Sequence, residues 1–106
     1  MAFTLKQNDT SPSIQATLKN ASGSAVDLSG ATVKFHVKSV DGTLKINQTA
    51  TLVDEDNGVV KYDWQAGDTD TVGTYYAEFQ VSYADLTTET FPNNDNIVIL
   101  IKSELN

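Results

Sequence analysis

Apolar and polar residues alternate at every second position through most of this chain, and the alternation breaks at small clusters of Gly, Asn, Asp and Ser. A period of two belongs to extended backbone with one face buried, because successive side chains of a strand point to opposite sides. No window sustains the period of a helix, so the chain reads as all-β. Two stretches carry most of the information: Asn57-Gly58-Val59-Val60-Lys61-Tyr62-Asp63-Trp64, and Asp68-Thr69-Asp70-Thr71-Val72-Gly73-Thr74-Tyr75-Tyr76-Ala77-Glu78-Phe79. Each is a turn feeding a strand whose aromatic residues fall on alternate positions, which is how one sheet buries a face against another.

The strands can be placed in order. Phe3 to Gln7 reads as a short first strand and Ser13 to Asn20 as a second, with Ile14, Ala16 and Leu18 on its apolar side. After the turn Asn20 to Ser24, Val26 and Leu28 are expected to plug one end of the core. Ala31 to Val40 sets Val33, Phe35 and Val37 against Thr32, Lys34, His36 and Lys38, so burial specifies its register. Asp41-Gly42 predicts a hairpin into one strand from Leu44 to Val53. Asn57-Gly58 predicts a second, in a primed turn with positive φ angles, leading into Val60, Tyr62 and Trp64. Beyond the loop Gln65 to Val72, the run Gly73 to Tyr83 turns Tyr75, Ala77, Phe79 and Val81 inward, with Tyr83 at its end open to either side, and is the expected centre of the core. Asp85 to Thr88 turns the chain into a short edge strand ending at Phe91-Pro92, where a proline is tolerated, and Ile97 to Lys102 completes the sheet. Seven to eight strands within one domain over residues 1–106 predict a two-sheet antiparallel β-sandwich, ahead of a closed barrel.

Composition bounds the function. A chain of 106 residues buries roughly 65% of its unfolded surface, enough for one core. It has no cysteine, hence no disulfide, thiolate nucleophile or cysteine metal site, which fits a cytoplasmic or cytoplasm-assembled origin. Fourteen acids face seven lysines and no arginine, a net charge of -7. That balance repels phosphate backbones and lacks the guanidinium fork that reads guanine or phosphate, so neither nucleic acid nor an anionic membrane is an expected partner. Met1 to Lys6 lacks a signal-peptide core, and the longest apolar run, Ile97 to Ile101, is too short to span a bilayer.

No candidate for chemistry outweighs its structural explanation. Asp54, Glu55 and Asp56 sit together, but counting from Asp54 glycine falls at the fifth position and Gln65 at the twelfth, against the sixth and twelfth positions an EF-hand requires. They read as a solvated hairpin tip. Asp68 and Asp70 flank a loop and are expected to bind their own backbone on the approach to Gly73. His36, the only histidine, falls on the wet face between Lys34 and Lys38 and reads as a plain exposed histidine, since acid-base work would need a partner carboxylate and a pocket. No glycine-flanked serine elbow or phosphate loop is present. Tyr62, Trp64 and Tyr75 share the faces of buried residues, leaving Tyr76 and Tyr83 as exposed aromatics. The expectation is therefore no catalytic, cofactor-binding or metal-binding residue.

The opening Phe3-Thr4-Leu5-Lys6-Gln7-Asn8-Asp9, the Leu28-Ser29-Gly30-Ala31-Thr32-Val33 approach to the third strand, the run Gly58 to Phe79 and the terminal Pro92 to Ile101 together resemble the N-terminal immunoglobulin-like domain of phage baseplate upper proteins. The likeness covers nearly the whole chain, and its motifs are structural. It implies an immunoglobulin-like sandwich without an active site, serving as an adaptor that docks a multi-chain, often trimeric receptor-binding apparatus onto a phage tail. Its implied partners are other virion or baseplate proteins or further copies of itself, and its location the virion. The resemblance carries over no interface residue. The chain ends at Asn106 without the helical and receptor-proximal regions of full-length baseplate upper proteins, leaving a stand-alone module, a head or tail decoration and an excised fragment open. Two function classes follow: a virion docking module, marked by a flat exposed edge or apolar outer patch, and a carbohydrate- or host-surface-binding sandwich, marked by contiguous outward aromatics.

Overall fold

The computed structural model describes residues 2–93 and 97–103, and in them nine strands. These are β1 (Ala2–Lys6), β2 (Ile14–Thr17), β3 (Thr32–Ser39), β4 (Leu44–Thr49), β5 (Thr51–Asp54), β6 (Val59–Tyr62), β7 (Gly73–Ser82), β8 (Thr88–Phe91) and β9 (Ile97–Lys102). The larger sheet runs β1-β9-β7-β3-β4, with β8 pairing the second half of β7; the smaller runs β2-β6-β5. The all-β, two-sheet sandwich expected from the alternation is the observed fold, as the resemblance to an immunoglobulin-like domain also implied.

Three details depart from the sequence reading. The stretch Leu44 to Val53 is two strands, which raises the count to nine. The chain leaves the large sheet and enters the small one at Ala50, whose side chain is buried and whose N–H donates to the Val33 carbonyl at 2.8 Å. Ile46, Ala50 and Leu52 stay in phase on the inner side across this step, so alternation alone registers no break. Second, β1 pairs β9 in parallel, from Ala2 opposite Val98 to Lys6 opposite Lys102; the other strand pairs among the described residues are antiparallel. Third, Asn57-Gly58 is not a primed turn. Glu55–Asn57 form one turn of 3-10 helix, and only Gly58 has a left-handed backbone, with φ of 69°. The bulge between Leu52 and Asp54 absorbs the longer loop.

That loop is stapled to the segment before β3. The Leu18 N–H donates to the Gly58 carbonyl at 2.8 Å and the Leu28 N–H to the Glu55 carbonyl at 2.9 Å. Leu28 is fully buried and Val26 packs beside it, closing that end of the core as expected. The centre is aromatic: the Phe35 ring stacks on Tyr62 at 4.8 Å, tilts against Phe79 at 4.9 Å and meets Trp64 edge-on at 5.7 Å. Edge-to-face and offset contacts of this kind add to the area each ring buries.

Candidate functional site

The sequence candidates do not come together. Asp54, Glu55 and Asp56 are exposed on the 3-10 turn; the Asp54 carboxylate accepts from Asn57 Nδ2 at 2.9 Å and that of Asp56 from the Ser29 hydroxyl at 3.4 Å. Asp68 caps its own loop, its Oδ2 accepting from the Gln65 N–H at 2.8 Å and from the Tyr62 hydroxyl at 2.6 Å. Asp70 turns chiefly to other side chains, with its own backbone a lesser partner. Its carboxylate accepts from Lys45 Nζ at 3.0 Å, because the loop packs beside β4, and also from the Thr71 hydroxyl at 3.0 Å. These contacts, that of Lys45 foremost, hold the Asp70 carboxyl below the ordinary carboxylate range. Among the described residues no three His, Cys, Asp or Glu side chains are arranged to hold a metal.

His36 lies on the outer face as expected, but it is half-buried and does have a carboxylate neighbour. Antiparallel register sets it opposite Glu78, with Nδ1 3.7 Å from Oε1. Alternation gave its face; only the choice of β7 as neighbour supplied the glutamate.

The aromatic residues divide much as their alternation implied. Tyr62, Trp64 and Tyr75 are buried. Trp64 Nε1 donates to the Pro12 carbonyl at 3.1 Å, and the Tyr75 hydroxyl donates to the Thr71 carbonyl at 2.8 Å, pinning the loop before β7 to that strand as a tyrosine corner does. Tyr83 is half-buried and donates to Glu89 at 2.8 Å, which leaves Tyr76 as the exposed large aromatic on the strands. A stacking platform for sugars therefore has one outward ring to rest on.

The two phenols bonded to carboxylates, Tyr62 and Tyr83, give a pH prediction. Desolvation, then the Glu89 carboxylate, pushes the Tyr83 hydroxyl up to about 12; desolvation and Asp68 raise Tyr62 further. A phenol whose folded pKa lies above its ordinary value of 10.0 stabilises the fold fully below that pH and ceases to do so as pH rises through the folded value. The melting temperature is expected to stay level to about pH 9 and fall between about pH 10 and 12. A Tyr62→Phe, Tyr83→Phe double variant should show a shallower fall; equal slopes in the two proteins would mean that neither phenol titrates abnormally.

What remains is a surface. On the outer face of the large sheet, register places Ala2, Val98, Tyr76, Lys38 and Leu44 in one row across all five strands of its main path, with Leu100 in the next row beside Thr4 and Thr74. Tyr76 and Leu44 are exposed, as is Val40 on the adjoining hairpin; Val98 and Leu100 are half-buried. A shallow groove of about 280 Å³ runs beside Tyr76, lined also by His36, Lys38, Val40 and Glu78. Lys6, Lys34, Lys38 and Lys102 project on this face, four of the seven lysines, against Glu78 as its one strand-borne acid among the described residues. The outer face is thus apolar along one band and basic around it on a chain of charge -7. One signal could have found it. Ile97 to Ile101 is apolar at successive positions, the mark of a strand meant to be covered on both faces, yet it lies in a sheet with one face packed.

Comparison with known proteins fits this picture. The family model described as the BppU N-terminal domain matches residues 2–98. No curated protein matches the sequence. Among solved structures, CopC from Methylosinus trichosporium OB3b is similar over 97% of this chain and 85% of its own, with a TM-score of 0.56 and 13% identity, a likeness of fold alone.

Proposed function

The chain belongs to the BppU N-terminal domain family, that of phage baseplate upper proteins, and from this membership we propose that residues 1–106 act as a single, non-enzymatic docking domain that joins neighbouring proteins in host-attachment machinery. As a member it is a structural component of a phage baseplate and belongs to the virion. The observation that carries the docking reading is the apolar band across the outer sheet face, covered by none of the described residues while the candidate polar groups are engaged in holding loops. An uncovered band of partly exposed apolar side chains of this kind marks protein contacts more often than chemistry. A rigid sandwich with pinned loops suits an adaptor, since docking loses less entropy when the surface is already ordered. Assembly in the host cytoplasm accords with a cysteine-free chain.

The test is lysine-reactive cross-linking of purified virions of the phage that encodes the chain, read by mass spectrometry. Links from Lys38, Lys102 or Lys6 to other baseplate chains are the expected result. Links confined to capsid proteins, or a chain present in the particles yet linked to no other baseplate protein, would overturn it.

A further inference from the structure

Three tight loops of this protein share one backbone template. In each, the residue before the loop donates its N–H to the carbonyl of the residue after it, and the third loop residue donates back to the carbonyl of the first partner: Asn20 with Ser24 and Gly23, Ser39 with Thr43 and Gly42, Tyr83 with Thr87 and Leu86, all six bonds at 2.9 Å. The third loop residue must take a left-handed backbone, with φ of 85° at Gly23, 90° at Gly42 and 71° at Leu86. Two of the loops use glycine, which adopts that conformation without strain. The third uses leucine, the one described residue at positive φ that is neither glycine nor asparagine.

Leu86 is also 91% exposed, the most exposed large apolar side chain described. It is therefore unfavourable twice, in backbone conformation and in solvation, at a position where the chain elsewhere places glycine. Local rules broken together without a compensating contact in the fold point to a function outside it. The surroundings of Leu86 indicate what it meets. Asp85 is its neighbour, and Ser29 both lines the same depression as Tyr83, Asp85 and Thr87 and bonds Asp56, so Asp54, Glu55, Asp56 and Asp85 cluster at one end of the sandwich. A partner for that end offers an apolar seat bordered by cations. The outer sheet face offers such a seat near the opposite end: Val98, Leu100, Tyr76, Leu44 and Val40, with Lys6, Lys38 and Lys102 around them. Among the described residues, Glu78 and, at the rim, Asp41 are the opposing charges there. Within one molecule the two cannot meet, since six of the ten residues of β7, Ala77 to Ser82, about 20 Å of strand, lie between the Leu86 loop and Tyr76.

We propose that Leu86 is the anchor of a head-to-tail contact between copies of this chain, seated on the lysine-flanked apolar band of the next copy's outer sheet face. This deepens the docking function above and rests on it. The contact is heterologous, each copy giving its acidic end and receiving on its basic face, so it closes into a ring or continues as a chain according to the rotation between copies. The overall charge of -7 opposes association at long range, whereas at contact the opposite local charges dominate, because free ions screen distant charges first.

Sedimentation velocity and light scattering over about 10 μM to about 1 mM, in about 50 mM and about 500 mM salt, test this. The wild type is expected to gain mass with concentration and to lose the gain in high salt. Leu86→Gly should bind at least about tenfold more weakly while melting no lower than wild type, because it relieves the left-handed backbone and gives up no buried contact. A Lys38→Glu, Val40→Asp variant, altered only in the seat, should also stay monomeric. Mixed together, these two monomeric variants should form a one-to-one pair, the intact anchor of the second entering the intact seat of the first. A wild type monomeric throughout at low salt, a Leu86→Gly variant that associates like wild type or melts lower, or a mixture that stays monomeric would each overturn the proposal. None of those outcomes touches the virion cross-links to other baseplate chains, so this contact and the docking function can fail separately.

Discussion

Gly58→Ala is expected to destabilise the domain by about 4 kcal/mol and lower its melting temperature by on the order of 20 °C. Two costs combine. An alanine at φ of 69° bears the left-handed penalty of roughly 1–2 kcal/mol that any side chain with a Cβ bears there. The larger cost is space: a Cβ on Gly58 would lie 2.8 Å from the Leu18 carbonyl oxygen, 2.8 Å from that of Val26 and 3.1 Å from the Val26 nitrogen. All three are backbone atoms in hydrogen-bonded segments, so relief means displacing the staple between the β5–β6 loop and the strap over the core end. Gly42 supplies the control. It has φ of 90° and nothing within 4 Å of an added Cβ, so Gly42→Ala should show the backbone term alone, about 1–2 kcal/mol. Thermal or urea unfolding of the two variants side by side separates conformation from crowding, and equal losses would show that the close approach at Gly58 is relieved freely.

The second large effect is expected at Trp64, whose replacement by alanine should cost about 4 kcal/mol. The side chain is 4% exposed and lies just past the end of β6, where it meets Phe35 and Tyr62 edge-on and Phe3 at a tilt. Removing it empties the region between the N-terminal strand and the core, and frees the Pro12 carbonyl that accepts its indole N–H. Trp64→Phe keeps most of the volume and loses that hydrogen bond, so it should cost about 1–2 kcal/mol. Since Trp64 is the sole tryptophan, wild-type unfolding can be followed by its emission and the variants by far-ultraviolet dichroism. A Trp64→Ala protein melting with wild type would mean that the ring is not part of the core.

How much of this was legible beforehand differs from element to element. Period-two alternation gave the inward faces of β3 and β7, and the buried set Val33, Phe35, Val37, Tyr75, Ala77, Phe79 and Val81 follows it position by position. It gave Trp64 as a core residue even though hydrogen-bonded pairing ends at Tyr62. Asp41-Gly42 gave a hairpin, and Asn57-Gly58 marked a turn while misstating its kind, because the same dipeptide serves a primed turn or a 3-10 turn with one left-handed residue. Leu86 fell inside the turn read from Asp85 to Thr88, but nothing in that stretch signalled a left-handed backbone at a leucine. Its conformation became evident only once its loop could be laid beside those of Gly23 and Gly42.

The docking face was half legible. Successive apolar residues from Ile97 to Ile101 were visible, as were the lysines that alternate along β3, but nothing local joined them. Their meeting depends on which strands are neighbours: β9 beside β7 beside β3, with β1 added in parallel at the outer edge. The sequence by itself determined which side of each strand is buried, since burial acts on side chains and side chains alternate. Only the tertiary structure decided which strands pair, that Ala50 passes from one sheet to the other and that Gly58 must lie against the Leu18 and Val26 backbone. The reason is physical: the ladder bonds that join strands come from backbone groups that are alike in nearly every residue, so partner choice is written in the packing of the whole core and not in any one segment.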